Sequence, residues 1–512
     1  MANLVVRLLL ARHLTPTTHS HVCAGGSLWQ SVSVVGDAGV NHLGYYTCAW
    51  RPDGRAIATH GHSGALHVWD AVRPDVGGGH EGNGGNGGNG GADGSDDEDV
   101  YYTPRTPACG CGHTAPVVDA SWSPDGKTLC TVSVDQTCRL WGNPDGQCWR
   151  EVGRPQVHGH DFSCVTFVSN DVYVSGSEEK VLRVFDNSLT DERGARARVK
   201  LPALGLSNAV CHDGADGKGG DGGRKGGAFA DGDVNNAHAS ITEEDLSQNT
   251  LWPEVRKLYG HGNDLYRVAA DPKGRFIVSS SRAQEHMSAA IIVWDTSTWT
   301  EVARCAGHDL TVTCMDCNDR GDMLATVGRD RKLIVWERPA RDGSGNDDIT
   351  NWRMKASKSK AHARVIWGCA WTKDAGGREA DRGADREGGR STLVTSSRDG
   401  TISAWDVIDP SSESDASEVL VKKAEIKLAS SVTAVAARGS LIAAGLESGH
   451  VVVLVLREYG ACELDVVCTC GEEGKHAGTV RRVAFCPGGV GSALMLSSVG
   501  DDGAVKFWRV EV

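Results

Sequence analysis

Short runs of alternating apolar and polar residues, broken by turns, fill this chain and recur in a fixed order. Alternation at period two marks strands that bury one face. The repeating unit reads Gly-His, an alternating strand, a turn, a second strand, an Asp with a turn residue, and a strand ending in Trp. Its clearest copy runs Gly307-His308, Thr311 to Cys317, Leu324 to Val327, Asp330, and Leu333 to Trp336. Other strong copies run from His113 to Asp135 and Trp141, from His362 to Asp399 and Trp405, and from His476 to Asp502 and Trp508. Four weaker copies fill the gaps. One ends at Trp69-Asp70, one runs from Gly159-His160 to Glu179 and Phe185, and one runs from Gly260-His261 to Trp294. The last, from Ser430 to Leu456, has lost both His and Trp and keeps only the alternation Val432, Ala434, Ala436.

Spacing inside the copies adds chemistry to the pattern. In the four strong copies the Asp stands six residues before the terminal Trp, and Thr131, Thr326, Thr395 or Ser498 stands four before that Asp. His, hydroxyl, carboxylate and indole N–H at these positions can join into a buried hydrogen-bonded chain that ties one sheet together. Buried polar groups need partners, and a satisfied network rigidifies its surroundings. The predicted fasteners are His113, Thr131, Asp135 and Trp141; His308, Thr326, Asp330 and Trp336; His362, Thr395, Asp399 and Trp405; His476, Ser498, Asp502 and Trp508. A His–Ser/Thr–Asp set also fits a hydrolase. A catalytic triad occurs once per site, whereas this set recurs from copy to copy, and no Gly-x-Ser-x-Gly elbow is present.

This repeat resembles that of WD40 β-propellers, which predicts an all-β fold with one sheet, or blade, per copy. Copies two to eight would make one complete seven-bladed ring over residues 109–512. Copy one, residues 28–72, would be an extra blade from a second, truncated propeller, or else an eighth blade of the same ring. An isolated blade leaves unpaired edges and half a core. Residues 1–27 read as a divergent or misassigned start; Arg7 and Arg12, with no acid before Asp37, also fit an organelle transit peptide. Residues 73–108 read as a low-complexity linker and about 187–248 as a disordered insertion. Both are rich in Gly and polar residues and too poor in apolar ones to offset the entropy of ordering.

Composition narrows the partners. The 53 basic and 66 acidic residues leave a formal charge of −13, which opposes nucleic-acid binding through net charge. A local patch remains open to it: Lys180, Arg183, Arg282, Arg329, Arg331 and Arg398 lie at turns, and Arg364, Arg481 and Arg482 near blade entrances. Propeller turns share a rim, so Arg329, Arg331 and Arg398 are candidates for a basic face toward an acidic partner or RNA phosphates. The 17 Cys lack the spacing of a disulfide framework and fit a reducing compartment, cytoplasm or nucleus. Cys314 and Cys317 match a metal half-site in spacing but not in strand geometry, and Cys109, Cys111, Cys468 and Cys470 read as loop or strand-end thiols. No stretch reaches eighteen apolar residues and no phosphate-binding Gly loop is present. No cofactor, metal or small-molecule substrate is expected.

Several segments lie outside what the repeat demands. They are Leu246 to His261, Pro202 to Asn208, Val174 to Phe185, His42 to Tyr46, Arg154 to His160, His308 to Thr313, and Arg364 to Trp371. In these the chain resembles the WD40-repeat subunit family of the Elongator complex, from about Leu28 to the C-terminus. The resemblance implies two seven-bladed propellers in the family, of which this chain would hold the last blade of the first and all of the second. It also implies a non-catalytic scaffold that meets the large scaffold subunit and the catalytic subunit. Contact with tRNA would be indirect, through a complex that modifies wobble uridine at position 5. No membrane role is implied. A general WD40 adaptor for another complex, in transcription, ubiquitination or signalling, is the alternative reached through the fold alone.

Overall fold

A computed structural model of the chain describes residues 112–189 except 145 and 147, 249–338, 349–372, 391–408, 419–457, 462–488 and 494–510, together with Leu246. Shorter pieces are described at 6–12, 28–35, 45–51, 56–61, 66–72, 101–105, 199–200 and 209–210. Two compact units divide the chain: residues 1–111 with 238–246, and residues 112–237 with 247–512.

Among its described residues the second unit holds seven antiparallel sheets of three or four strands, here blades I to VII, and a two-stranded pair, Val199–Lys200 with Ala209–Val210. Blade IV is typical, with strands Val312–Cys317, Met323–Gly328, Leu333–Glu337 and Arg353–Lys358 paired in chain order. The first strands of the blades are Val117–Trp122, Phe162–Phe167, Leu265–Ala270, Val312–Cys317, Ile366–Trp371, Val432–Arg438 and Val480–Phe485. Each packs on the next, and the last returns to the first. Seven blades therefore close the ring, which excludes the eight-bladed reading. At the closing seam the Trp122 indole N–H donates to Ser497 Oγ at 3.0 Å and Ala484 O at 3.2 Å. Gly503 there has a φ of +73°, and a Cβ on it would lie 2.8 Å from His113 O, so both backbone and seam demand glycine.

Apolar clusters fill the seams between blades. Met323, Val327 and Leu333 of blade IV share one with Ile366, Trp371, Leu393 and Trp405 of blade V. Alternation supplies this core from both faces of each sheet. One feature the repeat pattern did not foretell recurs in all seven inner strands: a β-bulge just after the first residue, as at Val117/Asp119, Val312/Cys314 and Val480/Arg482. A bulge bends the strand and re-aims the following side chain.

Blade VII has three strands among the described residues, where the other six have four. In the first unit, Tyr45–Trp50, Ala56–Gly61, Leu66–Val72 and Tyr101–Arg105 form one four-stranded sheet. Tyr101–Arg105 falls in the segment expected to be linker. Its Tyr-Tyr-Thr start has strand-forming residues that the preceding acidic run obscured. Val6–Arg12 pairs with Leu28–Val35 as a hairpin within the same unit. Most of 73–108 and 187–248 lies outside the described residues.

Candidate functional site

Three of the four predicted sets join into complete hydrogen-bonded chains, each starting from an indole. In blade I the Trp141 Nε1–H donates to Thr131 Oγ1 at 2.8 Å; that hydroxyl lies 2.8 Å from His113 Nε2, and His113 Nδ1 lies 2.9 Å from Asp135 Oδ2. Donors run one way only if the imidazole is neutral with its proton on Nδ1: indole to hydroxyl, hydroxyl to Nε2, Nδ1–H to carboxylate. Burial favours that state, holding His113 below the ordinary histidine range. Asp135 also accepts from the backbone N–H of Thr114 and Thr137, which fixes the turn. Blade IV repeats the chain through Trp336, Thr326, His308 and Asp330 at 3.0, 3.0 and 2.9 Å. Blade VII repeats it through Trp508, Ser498, His476 and Asp502 at 2.8, 2.8 and 2.9 Å. Burial alone would raise the Asp330 and Asp502 carboxyls. Hydrogen bonds from His308 and His476 overcome it and hold both low.

Blade V keeps half of the chain. His362 Nε2 meets Thr395 Oγ1 at 2.7 Å and Trp405 donates to the same hydroxyl, but His362 Nδ1 faces Thr401 Oγ1 at 2.8 Å. Asp399 is 3.9 Å away and binds the Thr401 hydroxyl instead. The spacing brought all four residues together, but Thr401 stands between His362 and Asp399, where its blade I counterpart Thr137 leaves His113 in contact with Asp135.

The weaker blades vary the theme. In blade II His158 fills the place expected of His160: its Nε2 lies 3.2 Å from Glu179 Oε1, while His160 is exposed. Ser175 there donates to Gln156 Oε1 at 2.8 Å, and Phe185, in the place of the indole, offers it no N–H. In blade III Ser279 joins His261 and Trp294 at 2.8 Å each. The sequence pattern missed Ser279 because a hairpin insertion containing the short helix His286–Ala289 lengthens the interval before Trp294. Among the described residues of the first unit, the Trp69 indole N–H donates to Thr59 Oγ1 at 3.3 Å. None of this suits turnover: Thr131, Thr326 and Thr395 are fully buried, so no substrate reaches their hydroxyls.

The rim differs from a uniform basic ring. At the residue before the network turn, one backbone N–H per blade bonds the blade's entrance. These residues are Val134, Glu178, Arg282, Arg329, Arg398, Glu447 and Asp501 from blades I to VII. Arginine thus forms an arc over blades III to V, flanked by acids. Within the arc Arg282 pairs with Glu178 at 2.7 Å, while Arg329 and Arg398 are exposed. Arg331 takes a φ of +64° at the turn position that Gly400 and Gly503 hold in blades V and VII. It lines a cleft with Lys360, His362, Asp399, Lys422 and Lys427. Arg183 and Arg482 leave the rim altogether. Arg183 bonds Glu179 and Glu254 inside blade II, and Arg482 lies beside Asp119 on another inner strand.

Cys314 and Cys317 are buried in one strand. No group of three or more His, Cys, Asp or Glu suited to a metal occurs among the described residues. Cys470 Sγ accepts from Val451 N–H and Cys468 is exposed; Cys109 and Cys111 lie outside the described residues.

The segment that carried the family resemblance best has a structural place. Trp252 is buried against Phe167 and Tyr173, and its backbone N–H donates to Pro155 O. Thr250 Oγ1 accepts from Arg154 N–H at 2.8 Å, and Glu254–Tyr259 becomes the outer strand of blade II. Comparison with known proteins agrees. The family model described as WD domain, G-beta repeat, matches residues 107–142, 252–295 and 299–337. Elongator complex protein 2 of Arabidopsis thaliana is 32% identical over 94% of this chain and 58% of its own length. The Danio rerio protein of that name is 29% identical over 95% of this chain and 61% of its own. The Saccharomyces cerevisiae one is 30% identical over 73% and 48%. The chain thus spans about half to three fifths of the length of these relatives.

Proposed function

The chain is a WD40-repeat protein homologous to Elongator complex protein 2, and from that premise we propose that it acts as a non-catalytic scaffold subunit of an Elongator assembly. In this reading it meets the large scaffold subunit and the catalytic subunit, in cytoplasm and nucleus. It supports modification of tRNA wobble uridine at position 5 without doing the chemistry. The observation that carries the reading is the similarity to that protein of Arabidopsis thaliana, 32% identical over 94% of this chain and so well beyond the residues that the repeat model matches. Two further observations support it. The His–Thr–Asp sets are sealed inside blades as fasteners, and the exposed chemistry is a charged rim suited to macromolecular contact. No helix among the described residues is long and apolar enough to cross a membrane.

The basic arc is the proposed partner face, with Arg329, Arg331 and Arg398 toward an acidic protein surface or tRNA phosphate. Affinity purification of the tagged full chain tests the scaffold role. Recovery of the large and catalytic Elongator subunits is expected, and their absence from a well-expressed sample overturns it. The triple variant R329A/R331G/R398A tests the face. Glycine suits the positive φ at 331, so the turn stays intact while the charge goes. Loss of subunit recovery or of tRNA binding is expected, and unchanged recovery and binding remove the arc from the contact.

A further inference from the structure

The cleft beside the blade V turn gathers positive charge. It encloses about 440 Å³ and is lined by Arg331, by Lys360 just beyond strand Arg353–Lys358, and by Asp399, Lys422, Glu425 and Lys427 of blade V. Four bases and two carboxylates leave two positive charges over, in a chain whose formal charge is −13. His362 adds none near neutral pH, since burial pushes its imidazole down to about 4.

Both carboxylates are already engaged. Asp399 accepts from the Thr401 hydroxyl and from the backbone N–H groups of Ala363 and Thr401, and Glu425 holds the Lys422 ammonium. That ammonium also lies 5.1 Å from the centre of the Trp405 ring, which fixes it from a second side. Arg331, Lys360 and Lys427 carry the surplus, and among the described residues no hydrogen bond or ion pair engages their side chains. Blades IV and VII spend their comparable bases internally. Lys332 pairs with Asp309 at 2.7 Å and donates to Gly307 O, and Lys506 donates to Gly474 O at 2.9 Å.

Backbone shape sets the cleft apart as well. Of the four described non-glycine residues with positive φ, two line it: Arg331 at +64° and Lys360 at +57°. Glycine would hold either turn at lower conformational cost, so long bases are kept there against that cost. The rest of the lining limits the ligand. Beside the His362 ring it consists of Ala361, Ala363 and Thr401 among the described residues, with no broad aromatic or aliphatic face for a nucleobase or an apolar side chain. A small cavity with unspent cations and no apolar floor suits a compact polyanion.

We propose that this cleft binds a soluble inositol polyphosphate, with Arg331, Lys360 and Lys427 donating to its phosphates. Guanidinium and ammonium donors form charge-assisted hydrogen bonds to phosphate oxygens, the stronger kind. The site shares Arg331 with the proposed partner face but rests on its own cavity and charges, so it stands whether or not the chain joins Elongator.

Isothermal titration calorimetry of the purified full chain with inositol hexakisphosphate tests it, in about 0.15 M salt so that loose charge attraction is screened. One site is expected. Lys360→Gly combined with Lys427→Gln should weaken binding by about tenfold or more, since two charge-assisted contacts go. Glycine suits the positive φ at 360 and both residues are exposed, so the unliganded variant should melt with the parent chain. Ligand should raise the melting temperature of the parent chain and not that of the variant. Lys127→Gln, at an exposed base in blade I, should leave binding unchanged. No binding, binding unchanged in the double variant, or equal weakening by Lys127→Gln overturns the proposal. So does displacement of the ligand by a short RNA at equal phosphate concentration, which would make the cleft part of an RNA face instead.

Discussion

Blades IV and VI have the same shape and different interiors. Each has four strands, an inner bulge, and a threonine next to that bulge that bonds the following blade: Thr313 Oγ1 to Ile366 O at 2.5 Å, and Thr433 Oγ1 to Val480 O at 2.6 Å. Blade IV carries the complete His308–Thr326–Asp330–Trp336 chain. Blade VI has none of it and is filled by Ile442, Ala443, Ala444 and Leu454, all at 0% exposure. The fastener is therefore not what makes a blade. Alternation and seam packing make it, and the polar chain fixes the turn and the outer face of a blade that is already formed. Blade VI is held instead by an apolar cluster in which Ile442, Ala444 and Leu454 pack with Val452 and Leu464.

The largest expected effect is on the aliphatic blade. Leu454→Ala removes a fully buried side chain with no polar network to hold the sheet, and should cost about 2–5 kcal/mol. Denaturant unfolding of the full chain measures this, and a loss that stays constant from pH 7 to 5 is expected, because nothing at that site titrates. A loss well under 1 kcal/mol would mean blade VI is held by something other than its core.

Acid should separate the two kinds of blade. Burial pushes the His261 and His362 imidazoles down to about 4, with His113 and His476 also lowered. The unfolded chain then binds protons more readily than the native one, so stability falls as pH drops from about 6.5 to about 4. For His362, almost fully buried, the loss is of the order of 3 kcal/mol across that window. Below about 4 the low carboxyls Asp330, Asp399 and Asp502 add a second loss as they protonate. Replacing His362 with Phe should make the first window shallower by about that amount, with His113, His261 and His476 supplying the rest; an unchanged pH profile would show that His362 does not titrate there.

Removing the turn carboxylate should have a smaller effect. Asp330→Ala strands the His308 Nδ1–H and the backbone N–H groups of Asp309 and Lys332, at about 2 kcal/mol. The same replacement at Asp399 should cost about half as much, since Thr401 already takes the His362 Nδ1 contact. Equal losses at both positions would contradict the reading that blade V has loosened its fastener.

Much of the site was legible because its spacing is local. Trp, hydroxyl and Asp stand at fixed offsets along two adjacent strands, and a hairpin register turns those offsets into contacts. His158 was misassigned because two histidines lie two residues apart, and only the turn geometry chooses between them. Ser279 was missed because an insertion broke the offset. The arginine residues divided three ways, into fastener (Arg183), inner-strand position (Arg482) and rim (Arg329, Arg398), and nothing in their local sequence distinguishes these fates.

By itself the sequence determined that this is a repeating all-β chain, which residues fasten each strong blade, and which family it resembles. Those facts depend on period-two alternation and on intervals of a few residues, which a chain carries in its own order. Tertiary structure alone decided that seven blades close without an eighth, and that the basic face is an arc. It also decided that Arg331, Lys360, Lys422 and Lys427 line one cleft. Those facts depend on contacts between strands up to hundreds of residues apart, set by how seven similar sheets pack around a common axis.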